Sequence, residues 1–250
     1  MPAFTLIVPY YRQPGMLMHQ LQAWEKWPAD VPIIIVDDGS KEQARAVIVL
    51  NAGAELRRRL RLFRIDVDIP WNRGGARNLG TKQAQTEWIV HVDVDHVMTA
   101  ATATALRAWE PDPAHWYRFE RYRVGEADET RRKDKIADDC VYGKIHPHID
   151  SYLTTRSHYW AAGGYDEDYS GCLGGGTPFT KELGKLKAVA IAPAPMHLNV
   201  WTRTACADSS EHYLDRTPGE FTRRRQSKEQ AGRTRPENPI RFPWHEDPIP

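Results

Sequence analysis

The chain has 250 residues, 41% hydrophobic and 27% charged, with a net charge of +1. That length suffices for one well-buried α/β domain, and the near-neutral balance argues against a global field selecting nucleic acid or an anionic membrane. The three cysteines, Cys140, Cys172 and Cys206, lie far apart with no CxxC pair, which argues against a zinc ribbon or disulfide scaffold and suits a reducing compartment.

Residues 4–8 are a short apolar, β-rich run ending at Pro9 and read as a buried strand. No basic leader with a long apolar stretch precedes it and no segment approaches a membrane span, so a soluble, cytoplasmic protein is expected. Over 14–27, Leu17, Leu21 and Trp24 recur at helical spacing behind Pro14. Residues 31–36, VPIIIV, are a second strand. It runs into Asp37-Asp38-Gly39-Ser40, a turn able to cap a helix over 41–50. A third strand is expected over 61–66, then a helix over 74–85 entered through Gly74-Gly75. Residues 87–92 are a fourth strand ending in Asp93-Val94-Asp95-His96, and 99–109 return to helix. Strands alternating with helices predict an α/β domain with a mostly parallel sheet covered on both faces. Ligands bind such sheets at the carboxyl ends of the strands, where Tyr10, Asp38 and Asp93 all emerge.

The second half is less regular. Residues 115–124 alternate like an antiparallel strand, and 125–139 are a charged loop expected to be mobile, a plausible lid. A strand over 149–154 and a short helix over 157–162 lead into GGYDEDYSGCLGGGTPFTKEL, residues 163–183. Another strand over 188–192 precedes Pro193, Pro195 and Met196-His197-Leu198. From Asp215 the chain is rich in Arg and Pro with little apolar periodicity, and reads as an extended tail, wrapped on the domain or disordered. The expected division is a domain over 1–205 and a basic, Pro-rich tail over 206–250.

Three short segments carry chemistry. Asp93 and Asp95, at i and i+2 of an extended segment, point the same way. Two hard oxygen ligands suit Mg²⁺ or Mn²⁺; the alternative is a pair of solvated turn acids. Asp37 and Asp38 form an Asx turn and helix cap, or offer a carboxylate to a ribose or base. NRGGARNLG, residues 72–80, opens a helix with glycines and carries Arg77 and Asn78 on its first turns. That pairing favours a diphosphate, yet the segment is neither a P-loop nor a dinucleotide fingerprint. The alternative is close helix-to-sheet packing with Arg77 pairing Asp37 or Asp38.

In order, TLIVPYY, IIIVDDGS, NRGGARNLG, HVDVDH and GGYDEDYSG resemble the successive motifs of the family 2 glycosyltransferases, over residues 3–201. The resemblance implies the GT-A fold, a single Rossmann-like domain, and metal-dependent transfer of a sugar from a nucleotide-diphospho-sugar, a UDP-sugar foremost, to an acceptor hydroxyl. It implies that Pro9, Tyr10, Tyr11 and Asp38 hold the nucleoside. Gly75, Arg77 and Asn78 would lie at the diphosphate and ribose, with Asp93 and Val94 completing the donor site. Asp93 and Asp95 would bind Mn²⁺ or Mg²⁺, with His197 as a further ligand and His96 as another candidate. Residues 1–110 become the nucleotide-sugar half and 111–205 the acceptor half, with Trp160, Gly164, Tyr165, Asp166 and Trp201 on the acceptor side.

An inverting transfer needs a general base near the acceptor hydroxyl. Relatives carry an Asp in a GGED-like element; this chain has Gly175-Gly176-Thr177-Pro178 there. Asp168 and Glu182 are the nearest substitutes, unless the enzyme is retaining or inactive. For the acceptor, the tail cations Arg216, Arg223, Arg224, Arg225, Lys228, Arg233 and Arg235 allow a hydroxylated DNA base, as some viral glycosyltransferases use, beside saccharides, lipids and proteins. If viral, the enzyme would work in the host cytoplasm. Two further readings are a metal-dependent phosphohydrolase or nuclease using Asp93 and Asp95, and a nucleotide-sugar-binding or DNA-binding module without a base.

Overall fold

A computed structural model describes residues 4–41, 43–69, 72–124, 141–172, 176–193, 196–201, 219–233, 236 and 239–250. The expected lid at 125–139 lies outside these residues.

The first half builds the parallel part of the main sheet. Strands β1 (Phe4–Tyr10), β2 (Ile33–Asp37), β3 (Leu60–Ile65) and β4 (Trp88–His91) pair in parallel, with β1 between β2 and β4 and β3 beyond β2. Alternation along β1 sends Phe4, Leu6 and Val8 to one face and Ile7 to the other. The first face is covered by α1 (Pro14–Trp24), α2 (Ala44–Asn51) and α3 (Ala54–Arg59), through Leu17, Leu21, Trp24, Ile48 and Leu56. On the second lies α4 (Arg73–Gln83), through Ala76 and Leu79. A side chain on Gly80 would bring its Cβ within 2.4 Å of Ile7 Cγ2, so this glycine sets how closely α4 approaches β1. α1 stops three residues short of the sequence expectation, because Trp27 turns away to donate its indole N–H to Met98 O.

After α4 the topology becomes mixed. β5 (His96–Met98), not foreseen from sequence, and α5 (Ala100–Ala108) follow β4. The single strand expected over 115–124 is two, β6 (His115–Arg118) and β7 (Glu120–Val124), lying in different sheets on either side of the fully buried Phe119. Their neighbours, β10 (Ala188–Ile191) and β11 (His197–Trp201), break at the same level. Pro193 and Pro195 sit there in the sequence, and proline cannot donate to a ladder. β8 (Val141–Ile145) pairs with β7, and β9 (Tyr152–Thr155) pairs antiparallel with both β4 and β6. α6 (Arg156–Ala161) and α7 (Gly176–Leu186) join α4 on the second face through Tyr159, Phe179 and Leu183.

The C-terminal segment carries regular structure where the sequence shows none. Residues 220–230 form α8 (Glu220–Gln230), and β12 (Trp244–Glu246) pairs antiparallel with β3 at the sheet edge. The main sheet therefore runs β10-β6-β9-β4-β1-β2-β3-β12, beside a four-stranded sheet β5-β11-β7-β8. Of α8 only Lys228 is buried. The helix is held by charge pairs rather than an apolar stripe, which is why periodicity does not reveal it.

Candidate active site

The carboxyl ends of β1, β2 and β4 meet as expected, but their side chains divide between scaffold and site. Tyr10 is fully buried in the core and Pro9 half-buried, whereas Asp38 N donates to Tyr10 O at 2.9 Å and ties the two strand ends together. Asp37 is the helix cap: it accepts from Ser40 N (2.8 Å) and from Ala44 N (2.9 Å), the first residue of α2, and pairs with Arg64 at 3.1 Å. Asp38 accepts from Asn72 Nδ2 at 3.0 Å; burial holds its carboxyl well above the usual range. Tyr11 donates to Asp68 at 2.7 Å, and burial together with that bond raises its hydroxyl pKa. Arg12 pairs with the other oxygen of Asp68 at 2.6 Å. Gly39, at φ 74°, passes so close to Val67 O that a Cβ would lie 2.5 Å from it. The sequence motifs do not single out Asp68; its position just past β3, beside those strand ends, is the signal that could have found it.

α4 delivers the two residues expected at the diphosphate, in different directions. Arg77 is fully buried and pairs through Nη2 with Asp93, not with Asp37 or Asp38. Its guanidinium lies 5.6 Å from the centre of the Tyr165 ring, and its Nε and Nη1 are buried with no acceptor among the described residues. Asn78 faces the loop at 163–169: Oδ1 accepts from Tyr159 Oη (2.7 Å) and Tyr165 N (2.9 Å), while Nδ2 donates to Tyr165 O (2.8 Å) and Glu167 (2.9 Å). Its hydrogen-bonding capacity is thereby filled. A Cβ on Gly75 would stand 2.6 Å from Asn72 Oδ1, the atom that accepts from Ser170 Oγ.

Around Asp93 the structure gathers histidines. His148 Nδ1 lies 3.0 Å from Asp93 Oδ2, and His96 Nδ1 lies 3.8 Å from the same oxygen. Ligand atoms of Asp93, His96 and His148 all fall within 4.8 Å of one another, the group of this kind among the described residues. Burial alone would raise the Asp93 carboxyl; Arg77, then His148, outweigh it and hold the group well below its usual range. Burial lowers the His96 pKa, so its ring is neutral. Arg121 donates to His96 Nε2 at 2.9 Å, which leaves the proton on Nδ1, 2.7 Å from Ser151 Oγ. Asp95 is half-buried and its charge acts on His96, but it stands outside this group. His197 also stands outside it. In the β5–β11 ladder Val200 is opposite His96, so His197 is about 10 Å along the strand from that level. Its ring packs edge-on against Tyr122. Val94 is buried, and its carbonyl accepts from Gln20. Sequence reasoning does not reach His148, although HPHID places it two residues from an acid. The Asp93 carboxylate and the His148 imidazole could offer an oxygen and a nitrogen to a divalent cation, whereas both ring nitrogens of His96 are already engaged.

The glycine-rich loop packs against α4. Gly163 and Gly164 take φ of 91° and 70°, and a Cβ on Gly164 would meet Asn78 Oδ1 at 2.8 Å and the Trp160 ring at 3.0 Å. Tyr165 stacks on Phe179 and donates to Asp150 at 2.8 Å; the buried Asp150 also pairs with Arg73 at 2.7 Å. A short 3-10 turn, Glu167–Tyr169, follows. A cleft opens here, lined by Arg73, Tyr165, Asp166, Tyr169, Ser170 and Gly176 among others. Neither substitute base faces it freely. Asp168 pairs with Arg241 (2.8 Å), Lys228 (3.0 Å) and Arg233 (3.6 Å). Burial would raise its pKa, but Lys228 and the two arginines hold it low. Glu182 pairs with Lys185 on the solvent side of α7, and Thr177 is exposed on that helix's first turn. Trp201 ends β11.

Among the described residues, no helix is long and apolar enough to cross a membrane. No curated protein sequence matches the chain. Among solved structures, the chain is similar in fold to residues 1–349 of S. aureus TarS in complex with UDP-GlcNAc: TM-score 0.61, 15% identity, covering 89% of this chain and 64% of that one. It is likewise similar to the mannosyltransferase PcManGT from Pyrobaculum calidifontis in complex with GDP-Man and Mn²⁺: TM-score 0.55, 16% identity, 93% of this chain and 64% of that one. At residues 5–172, well over half its length, the sequence matches the profile described as glycosyl transferase family 2, and the chain belongs to that family.

Proposed function

We propose that this nucleotide-sugar-dependent glycosyltransferase uses a UDP-sugar and a divalent cation to glycosylate a saccharide hydroxyl. The observation that carries the reading is the Arg77–Asp93 pair with His96 and His148 beside it at the end of β4. Asp38 and the Tyr11–Asp68 pair form the nucleoside end. Asp93 and His148, with Asp95 nearby, would hold Mn²⁺ or Mg²⁺; His96, whose ring nitrogens are engaged by Arg121 and Ser151, would flank the ion, and His197 is set apart from them. Such a cation, when bound, neutralises the charge that develops on a departing nucleoside diphosphate. Arg77 keeps Asp93 ionised, and burial lowers the His96 pKa while Arg121 donates to its Nε2. TarS bound to UDP-GlcNAc and PcManGT bound to GDP-Man and Mn²⁺ support both a nucleotide-sugar and a cation.

The cleft beside Arg73 and Tyr165 is the acceptor side of this reading. Its lining of a carboxylate, a serine, two tyrosine hydroxyls and a guanidinium is the chemistry that hydrogen-bonds sugar hydroxyls. Asp166 is the carboxylate that lines it, and we assign it the contact with the acceptor hydroxyl. A hydroxylated DNA base rests on the basic tail alone. Among the described tail cations, Arg223 and Arg224 pair with Glu220, Arg225 with Glu229, and Lys228, Arg233 and Arg241 with loop acids.

A screen of UDP-, GDP- and TDP-sugars with Mn²⁺, read as release of nucleoside diphosphate with and without p-nitrophenyl hexosides, tests the proposal. Release stimulated by a hexoside from a UDP-sugar is expected, and its loss in Asp95→Ala. Activity left intact by Asp95→Ala would sink the cation assignment. Salt-sensitive retention on duplex DNA would instead favour the DNA reading.

A further inference from the structure

The C-terminal segment grips the loop that walls the cleft. The Lys228 side chain is only 6% exposed, and its ammonium lies between Asp166 and Asp168. The same ammonium stands 6.0 Å from the centre of the Tyr169 ring, against which Phe221 packs at 4.8 Å. Arg224 donates to Ser170 O at 2.7 Å and to Asp168 O at 3.1 Å. Past α8, Arg241 donates to Glu167 O at 2.7 Å, and Glu167 in turn accepts from the backbone N–H groups of Ile240 and Arg241. Of the residues held in this way, Asp166, Tyr169 and Ser170 line the cleft. Surface loops ordinarily keep their acids solvated and their backbone mobile. Here one buried ammonium bridges two carboxylates, the second of which also meets Arg233 and Arg241, an arrangement whose desolvation is offset only by close pairing.

We infer that Lys228 is a positioning residue of the glycosyl transfer: by clasping the turn at 166–169 it sets the Asp166 carboxylate and the Tyr169 ring against the acceptor. Residues 221–228 and 240–241 are then part of the wall of the acceptor site. The inference rests on the acceptor reading of the cleft given above. It also accounts for three of the described tail cations, Lys228, Arg233 and Arg241, which pair with the acids of GGYDEDYSG.

The test compares wild type, Lys228→Ala, Lys228→Arg and Arg241→Ala in the full chain. Calorimetry reads binding of UDP with Mn²⁺, amide exchange reads residues 164–172, and steady-state kinetics read KM and kcat for the best p-nitrophenyl hexoside. For Lys228→Ala we expect UDP affinity within about twofold of wild type and hexoside KM raised about tenfold with little change in kcat. Exchange in the loop should quicken about tenfold. Lys228→Arg should restore both, and Arg241→Ala should move them in the same direction by less. An unchanged loop in Lys228→Ala overturns the clasp. UDP affinity falling in step with the loop overturns it also, because the residue then supports the fold at large. A loosened loop with hexoside KM unchanged, or a wild type that uses no hexoside, overturns the acceptor reading and leaves the clasp a structural contact.

Discussion

Arg77 and Asp93 form an ion pair that joins the middle of α4 to the end of β4, with the arginine side chain fully buried. Removing either partner strands a charge in the interior, at a cost of about 3–5 kcal/mol. Asp93→Ala should therefore lower the thermal midpoint by roughly 6–20 °C and abolish donor turnover. The double variant Arg77→Met/Asp93→Leu should recover much of that stability and none of the activity. Thermal unfolding beside UDP release separates the two effects.

Mn²⁺ bound in the presence of UDP, followed by electron paramagnetic resonance, reports on the cation ligands without turnover. His148→Ala and Asp95→Ala should each weaken binding by about tenfold or more. His197→Ala should leave it near wild type. Equal weakening by His197→Ala and His148→Ala would bring β11 into the site.

Asp38 gives the donor site a pH dependence of definite sign. Burial raises its pKa well above the usual value, so the carboxylate forms only as pH rises through that higher value. A base N–H or a ribose hydroxyl is held better by the carboxylate. Donor KM should fall as pH rises through that window, and Asp38→Asn should raise KM and flatten the profile. Stability runs the other way. The unfolded carboxyl ionises near about 3.9, so stability falls as pH rises from there through the folded value and stays lower above it.

Asp168 shows the opposite case. Burial would raise its pKa, but Lys228, Arg241 and Arg233 hold it below the usual value. Its contribution to stability is present above about pH 4 and is lost as pH falls through the lower folded value. Thermal midpoints measured below pH 4 should drop more steeply for wild type than for Asp168→Asn.

Glycine-to-alanine changes should differ in sign by position. Gly80→Ala drives a methyl into Ile7 Cγ2 at 2.4 Å, and overpacking of this kind costs about 1–3 kcal/mol. Gly164→Ala combines φ +70° with a 2.8 Å approach to Asn78 Oδ1 and should also loosen the loop. At Gly184, within α7, an added methyl would meet nothing within 4 Å, so alanine there should stabilise by about 0.4–1 kcal/mol. Denaturant midpoints rank the three.

The parallel core is legible because VPIIIV and its partners are continuous apolar runs, and strand ends in α/β sheets carry the polar residues. The family motifs also locate Asp38, Arg77 and Asp93. Partnership is harder to read. Arg77 has Asp37 and Asp38 as candidate partners in the sequence, yet it pairs with Asp93, while Asp37 pairs with Arg64 and Asp38 accepts from Asn72. Asn78 looks like a ligand residue and is a brace for the tyrosine loop. His148 reaches the Asp93 group from a distant stretch of chain, a closeness that no local pattern encodes. α8 and β12 escape for a related reason: each is held by long-range charge or edge pairing, with little apolar periodicity of its own.

The edge pairing of β12 on β3 sets an order of assembly. As the chain emerges from a ribosome, β1 to β4 and their helices are complete long before Trp244 to Glu246 exist. Until then the β3 edge is open, and the acids of the turn at 166–169 face water without their cations. Residues 219–233 and 239–250, made after the core strands, are thus the ones that close the sheet edge and set the loop, so a nascent chain acquires its core well before the turn at 166–169 gains its cations.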